Sequence, residues 1–202
     1  TILKGKKFID LTSGFGIDAY YLSENFEEIT LVEQNAELLL IVEHNWDVLG
    51  KKAKFINLKL EDFLNENQQN FDVIYLDPAR RDNQKNKVFL LEDLSPNILE
   101  IQEKLLSISK EVVIKLSPLI DLKYLVSVLK NISRIDIIAV KNDVKEIVVF
   151  LTNENSKAIQ CHCINLESGE SDFQFLFGDE ENAHSEYAEP EKFIYIPNNT
   201  LL

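Results

Sequence analysis

Apolar residues follow two spacings in the first part of the chain, and the two alternate. Short continuous apolar runs indicate buried strands, and apolar residues recurring every three or four positions indicate helices. The predicted strands are 7–11, 28–33, 53–58, 71–76 and 111–116. The predicted helices are 17–26, 36–49, 95–107 and 122–130. Strands joined by helices pair in parallel and carry helices on both faces of the sheet, so the pattern predicts an α/β fold.

Two further apolar runs, 135–140 and 146–151, are separated by only five residues. This connection is too short for a crossover helix, so the two runs are predicted to pair as an antiparallel hairpin. We therefore expect a mostly parallel sheet of seven strands with a C-terminal antiparallel hairpin. Ligands of such sheets bind at the carboxyl ends of the strands.

The pattern changes after Leu151, where Asn, Ser, Glu and Gly dominate and only short apolar islands remain. Residues 153–202 carry 2 basic and 10 acidic side chains, against 19 and 24 in residues 1–152. We place a domain boundary near Thr152. Because the chain opens at Thr1 and stops at Leu201-Leu202, we expect one complete domain, 1–152, and the truncated start of a small α+β domain, 153–202.

Composition narrows the function classes. A net charge of −13 argues against a protein that coats nucleic acid by positive charge alone. No apolar stretch is long enough for a membrane helix, so no membrane partner is expected. Cys161 and Cys163 are too close together to staple a fold, which favours a reducing compartment and a cytoplasmic location. Their spacing is also wrong for zinc, so we expect no metal and two cysteines that face the core of a strand.

A glycine-rich loop, Asp10-Leu11-Thr12-Ser13-Gly14-Phe15-Gly16, follows the first predicted strand. Gly14 permits a tight turn, and Gly16 is predicted to let a ligand approach where a Cβ would clash. The next helix begins near Ile17 and points its free N–H groups into the same space. The loop alone fits a turn without a ligand, and with Ala19 it also fits the dinucleotide pattern.

Glu33 narrows the choice of ligand. It ends the second predicted strand, 17 positions after Gly16, where a carboxylate can hold both hydroxyls of a ribose. NAD and S-adenosylmethionine both contain such a ribose. Asp10 would repel a pyrophosphate but attract an amino-acid ammonium group, and the final hairpin is unusual for a dinucleotide-binding sheet. Both features favour S-adenosylmethionine.

Asp77-Pro78 lies directly after the fourth predicted strand. Proline fixes the backbone into a rigid turn, whose carbonyls can accept hydrogen bonds from an amino group that is being methylated. Arg80 and Arg81 follow. Either could bind a phosphate or a substrate carboxylate, or could pair with Glu92 or Asp93 to close the loop, and for Arg81 we favour the pairing.

With these motifs the chain resembles the class I S-adenosylmethionine-dependent methyltransferases. The residues that carry the resemblance are Asp10 to Gly16, Glu33 and Asp77 to Arg81, and it extends over residues 1–152. It implies a Rossmann-like methyltransferase fold in which the glycine loop cradles the methionine moiety and Glu33 binds the ribose. An acidic residue after the third strand often meets the adenine. Asp62 takes that place in one alignment and Lys59 in another, and we choose Asp62.

A narrower resemblance is to a bacterial group of these enzymes with a THUMP-like C-terminal domain. It is carried by Asp77-Pro78-Ala79-Arg80-Arg81, by the segment 91–96 and by the segment 115–121. It implies RNA as the substrate class and assigns residues 153–202 to the start of the THUMP-like domain. Similar enzymes that methylate exocyclic amines have a second proline and an aromatic residue where this chain has Ala79 and Arg80.

We therefore predict methyl transfer from S-adenosylmethionine to RNA. The alternatives are an inactive scaffold that binds cofactor, RNA or protein, and a small-molecule or protein methyltransferase; the oligomeric state stays open. The predicted catalytic residues are Asp77, Pro78 and Arg80. The predicted cofactor-binding residues are Asp10, Thr12, Gly14, Gly16, Asp18, Glu33, Gln34, Asp62 and Asp77. A basic patch for RNA is predicted from Arg80, Arg81, Lys85 and Lys87.

Overall fold

Strands and helices alternate along most of the chain in the computed structural model, which describes residues 3–80, 90–154, 158–179, 183, 184, 189, 192, 193 and 198–200. The strands are β1 (Lys7–Asp10), β2 (Glu28–Val32), β3 (Lys54–Ile56), β4 (Phe71–Leu76), β5 (Ala79–Arg80), β6 (Leu94–Ser95), β7 (Ser109–Leu116), β8 (Ile132–Val140), β9 (Asp143–Thr152), β10 (Gln160–Leu166) and β11 (Phe173–Leu176). The helices are α1 (Ile17–Leu22), α2 (Ala36–Val48), α3 (Leu60–Glu66), α4 (Ile98–Ser107) and α5 (Leu122–Val128), with a 3-10 helix at Leu91–Asp93.

Nine of these strands form one sheet, in the order β11-β10-β8-β9-β7-β4-β1-β2-β3, and β5 and β6 pair separately. Strands β3, β2, β1, β4 and β7 form a parallel run, in which each strand pairs in parallel with the next one in that order. Strand β9 is antiparallel to both β7 and β8. The predicted α/β class and the predicted hairpin are therefore confirmed, and the reversed strand lies inside the sheet.

The predicted count of seven strands is wrong, because β10 and β11 extend the sheet beyond Thr152. Strand β10 pairs in parallel with β8, and β11 pairs antiparallel with β10. Without β10, the edge of β8 would present unpaired N–H and C=O groups. Cys161 and Cys163 are buried in β10, as predicted for cysteines that face the core of a strand.

The predicted helix at 95–107 begins three residues late. Ser95 lies in β6 opposite Ala79, so it is extended and cannot cap a helix. The cap is Asn97, whose side chain accepts a hydrogen bond from the N–H of Leu99. Helix α1 is also shorter than predicted and ends at Leu22, and α3 was not predicted.

The sheet separates two apolar cores. Helices α1 and α2 contribute to one of them, where Trp46 is 2% exposed. Helices α3, α4 and α5 contribute to the other core, against the opposite face. No helix in the described ranges is long and apolar enough to cross a membrane.

The packing of α2 against the loop requires a glycine at position 16. The predicted reason for this glycine, that it makes room for a ligand, is wrong. Its φ is +70°, and a Cβ there would lie 2.8 Å from Trp46 Nε1 and 2.8 Å from Val42 Cγ1. The space is therefore filled by α2. The close approach seats the start of α1, and with it the glycine loop, against the core.

Gly16→Ala is expected to destabilise the protein by about 2–5 kcal/mol, because a left-handed φ costs roughly 1–2 kcal/mol and overpacking adds about 1–3 kcal/mol. Gly50 is the matched control. Its φ is +71°, and no described atom lies within 4 Å of its missing Cβ. Gly50→Ala should therefore lose only the strain energy. Urea denaturation of both variants measures the difference, and equal losses would contradict this account of Gly16.

Candidate functional site

A cavity of about 300 Å³ opens at the carboxyl ends of β1, β2, β3 and β4. It is lined by Leu11, Thr12, Gly14, Val32, Glu33, Gln34, Leu58, Leu60, Glu61, Asp77, Ala79, Ser95 and Pro96. This edge of a parallel sheet is where ligands bind, and the volume is at the lower end of the range of about 300–1,000 Å³ for small-molecule sites.

Hydrogen bonds hold the glycine loop against two neighbouring strands. The N–H of Ser13 donates to the carbonyl of Val32 (3.0 Å), and the N–H of Asp77 donates to Thr12 Oγ1 (2.7 Å). Gly14 has a φ of +51°, and the atom nearest to its missing Cβ is the Thr12 carbonyl oxygen at 3.9 Å. The position of the missing Cβ is therefore open, and because Gly14 lines the cavity, we expect a side chain there to reduce the space.

Glu33 follows β2 and lines the cavity beside Gln34. Its Oε2 accepts the N–H of Gly14 (3.0 Å), and its Oε1 accepts the N–H of Asn35 (2.8 Å). An ionised carboxylate has about four acceptor positions, so these two bonds leave acceptors for two hydroxyl groups. The geometry fits the predicted role of Glu33 at a ribose.

A charged network adjoins the cavity at Asp77. Lys115, near the end of β7, places its Nζ 2.8 Å from Asp77 Oδ2 and 2.5 Å from Asp18 Oδ2. The Tyr75 hydroxyl donates to the same Asp18 oxygen (2.6 Å). Burial, the hydrogen bond to Asp18 and nearby negative charge raise the pKa of Tyr75, so this phenol stays a donor.

Sequence reasoning missed Lys115. Burial by itself would lower its pKa, but hydrogen bonds and charge from Asp18 and Asp77 outweigh burial and raise it. The ammonium is therefore stable in the folded protein. The available signal was a cation after the apolar run 112–114 of β7, at the edge of the sheet that also carries Asp77.

Asp10 lies beneath the loop and is only 1% exposed. Its Oδ1 accepts the N–H of Thr12 (2.9 Å). Burial, together with the charges of Asp18 and Asp77, raises the pKa of Asp10 to about 8, although that hydrogen bond and the charge of Lys115 lower it. Among the described residues Asp10 is not part of the cavity lining, so its predicted contact with a cofactor stays a prediction.

The structure brings together five of the predicted site residues, and they share the cavity wall: Thr12, Gly14, Glu33, Gln34 and Asp77. Asp18 lies beside them through Lys115. Asp62 is exposed on α3, and Glu61 lines the cavity instead. The acidic pair was visible in the sequence, but which member faces the cavity depends on where α3 begins.

Pro78 is buried directly after Asp77, and Arg80 lies in β5, where the structure describes its backbone only. Arg81, Lys85 and Lys87 lie outside the described residues, so the predicted basic patch stays a prediction. Within the described part of the chain, no group of three or more His, Cys, Asp and Glu side chains forms a metal site.

Comparison with known proteins assigns this chain to a family. The family described as conserved hypothetical protein 95 matches residues 1–116, which is more than half of the chain. The chain belongs to that family.

Two curated relatives of this chain have the same name, ribosomal RNA small subunit methyltransferase J. The one from Psychrobacter cryohalolentis is 37% identical over 87 residues, which cover 35% of this chain and 29% of that protein. The one from Psychrobacter arcticus is 34% identical over 89 residues, which cover 36% and 30%. The match therefore spans less than a third of each relative's length.

Solved structures extend the likeness of this family member to its whole length. A candidate methyltransferase from Porphyromonas gingivalis W83 is 28% identical, with a TM-score of 0.86, over 99% of this chain and 51% of that one. The 16S rRNA N2 G1207 methyltransferase of T. thermophilus, solved with AdoMet and guanosine, is 16% identical, with a TM-score of 0.55, over 74% and 38%. The chain thus has the class I methyltransferase fold.

Asp10→Asn tests the buried carboxyl group. Because its pKa rises from an ordinary 3.8 to about 8 on folding, the folded state binds the proton more tightly. The contribution of Asp10 to the free energy of unfolding should therefore fall as the pH rises from about 4 to about 8. Urea denaturation across that range should show the Asn variant gaining stability relative to the wild type. A constant difference between Asp10→Asn and the wild type across that range would contradict the raised pKa.

Proposed function

We propose that this protein transfers a methyl group from S-adenosylmethionine to RNA. The observation that carries the proposal is the cavity wall in which Thr12, Gly14, Glu33 and Asp77 are tied together by hydrogen bonds at the carboxyl edge of the sheet. The class I methyltransferase fold and the names of the relatives support the reaction and the substrate class.

The residues of the cavity fit S-adenosylmethionine. Glu33 and Gln34 offer oxygens to a ribose, and Val32, Leu58 and Leu60 supply an apolar wall for an adenine. Thr12, Gly14 and Asp77 line the part nearest β1 and β4, where the methionine moiety would be held. When bound, the cofactor supplies an electrophilic methyl group.

Asp77 is the residue best placed to orient an acceptor. Its N–H is fixed by Thr12 and its Oδ2 by Lys115, while its Oδ1 has no hydrogen-bond partner among the described residues. That oxygen can accept a hydrogen bond from an acceptor N–H group. Pro78 stiffens the same turn, so the protein contributes mainly proximity and orientation.

Ribosomal RNA of the small subunit is the first substrate to test, because both curated relatives carry it in their names. Two finer predictions belong to the same proposal and rest on sequence alone. They are a cytoplasmic location and a THUMP-like region over residues 153–202.

Titration with S-adenosylhomocysteine in a calorimeter tests the cofactor site. Glu33→Gln removes one of two carboxylate acceptors and should weaken binding roughly tenfold or more. Gly14→Val puts a side chain toward the cavity and should weaken it further. Gly50→Val is the control for positive φ, and Asp62→Asn is the control for the neighbouring acid. Both should bind like the wild type, and unchanged affinity in Glu33→Gln would contradict the assignment of the site.

Methyl transfer is measured with the full-length protein, labelled S-adenosylmethionine, and naked small-subunit rRNA or intact 30S subunits. We expect label in RNA, and we expect Asp77→Ala to reduce its rate about 100-fold, because misplacing an acceptor by about 1 Å has that cost. Asp62→Asn should keep the wild-type rate. Label only in protein or small molecules would overturn the RNA assignment, and cofactor binding without any labelled product would favour a scaffold.

A further inference from the structure

Lys115 forms a salt bridge with Asp77, the residue that the proposed function places against the methyl acceptor. It lies on β7, the parallel neighbour of β4, so the carboxyl ends of both strands meet at the same edge of the sheet. Its side chain is 24% exposed and lies between Asp18 of α1 and Asp77 after β4. Its ammonium therefore bridges two carboxylates that belong to different elements.

Four acidic side chains lie around Lys115. Asp18 and Asp77 touch it, and Asp10 of β1 and Glu146 of β9 lie within the range of its charge. Burial raises the pKa of Glu146, while the charge of Lys115 lowers it. Tyr75 of β4 adds a neutral donor to Asp18. One ammonium thus faces acidic side chains from four parts of the chain.

We propose that Lys115 is a positioning residue for methyl transfer, which holds the Asp77 carboxylate in one orientation toward the acceptor. This inference rests on the proposed function. Asp77 is held at two points, since Thr12 fixes its N–H at 2.7 Å and Lys115 fixes Oδ2 at 2.8 Å. Without Lys115, the carboxylate can rotate away from Asp18, and Oδ1 loses its fixed direction.

A purely structural ion pair would behave differently. Asp18 and Asp77 are 38% and 43% exposed, so water can solvate both carboxylates after the loss of Lys115, and the fold should survive with reduced stability. Lys130 provides a matched control, because its Nζ lies 2.6 Å from Glu103 Oε1 in an exposed pair whose partners belong to other elements than those of the cavity. A positioning role predicts a loss of rate that the control does not share.

The test compares Lys115→Met, Lys115→Arg and Lys130→Met in the full-length protein with labelled donor and small-subunit rRNA. Lys115→Met should lower kcat roughly 10- to 100-fold, with KM for RNA changed less than about threefold. Lys115→Arg keeps the charge and should recover most of the loss, and Lys130→Met should match the wild type. Melting temperature and S-adenosylhomocysteine affinity should stay close to wild type in Lys115→Arg and Lys130→Met, and a melting curve should show that Lys115→Met is still folded at the assay temperature.

The pH profile separates positioning from structure. The charge of Lys115 lowers the pKa of Asp10 and of Glu146. Lys115→Met removes that charge, so the acid limb of the kcat profile should move to higher pH in Lys115→Met and return in Lys115→Arg. A kcat for Lys115→Met equal to that of Lys130→Met, or a loss without a shift of the acid limb, would overturn the inference. If the wild type methylates no RNA, the proposed function itself fails, which is a distinct outcome.

Discussion

The hydrogen bonds that join the glycine loop to its neighbours set the shape of the candidate site. Thr12 Oγ1 accepts the N–H of Asp77, and Glu33 accepts the N–H of Gly14, so the ends of β1, β2 and β4 are tied together. Each bond satisfies a backbone donor that the strand ladders leave unpaired. Because the donors are backbone groups, the loop is ordered before any ligand arrives.

The same loop is held from below by packing. Gly16 meets Trp46 and Val42 at distances that exclude a Cβ, so α1 rests directly on α2. The site above and the core below therefore share one short segment, Thr12 to Gly16. A change in the core at Gly16 would move the backbone that lines the cavity, which couples stability to ligand binding.

Charge is distributed unevenly around this segment. Asp10 is buried under the loop with a raised pKa, while Asp18 and Asp77 stay paired through Lys115. The net charge of the whole chain, −13, therefore does not describe the site. There a single ammonium, that of Lys115, decides how the carboxylates are arranged. Sequence reasoning assigned Asp18 and Asp77 to the site but could not see their partner, because Asp18 and Lys115 are 97 positions apart.

The sequence by itself determined the α/β class, the hairpin of β8 and β9, the glycine loop and the acids Glu33 and Asp77, because each follows from local periodicity or from the end of a strand. Tertiary structure decided what depends on distant contacts. Strand β10 joins β8, Ser95 pairs with Ala79 instead of capping a helix, and Glu61 rather than Asp62 faces the cavity. Such choices follow from which surfaces meet after folding, and spacing along the chain does not encode them.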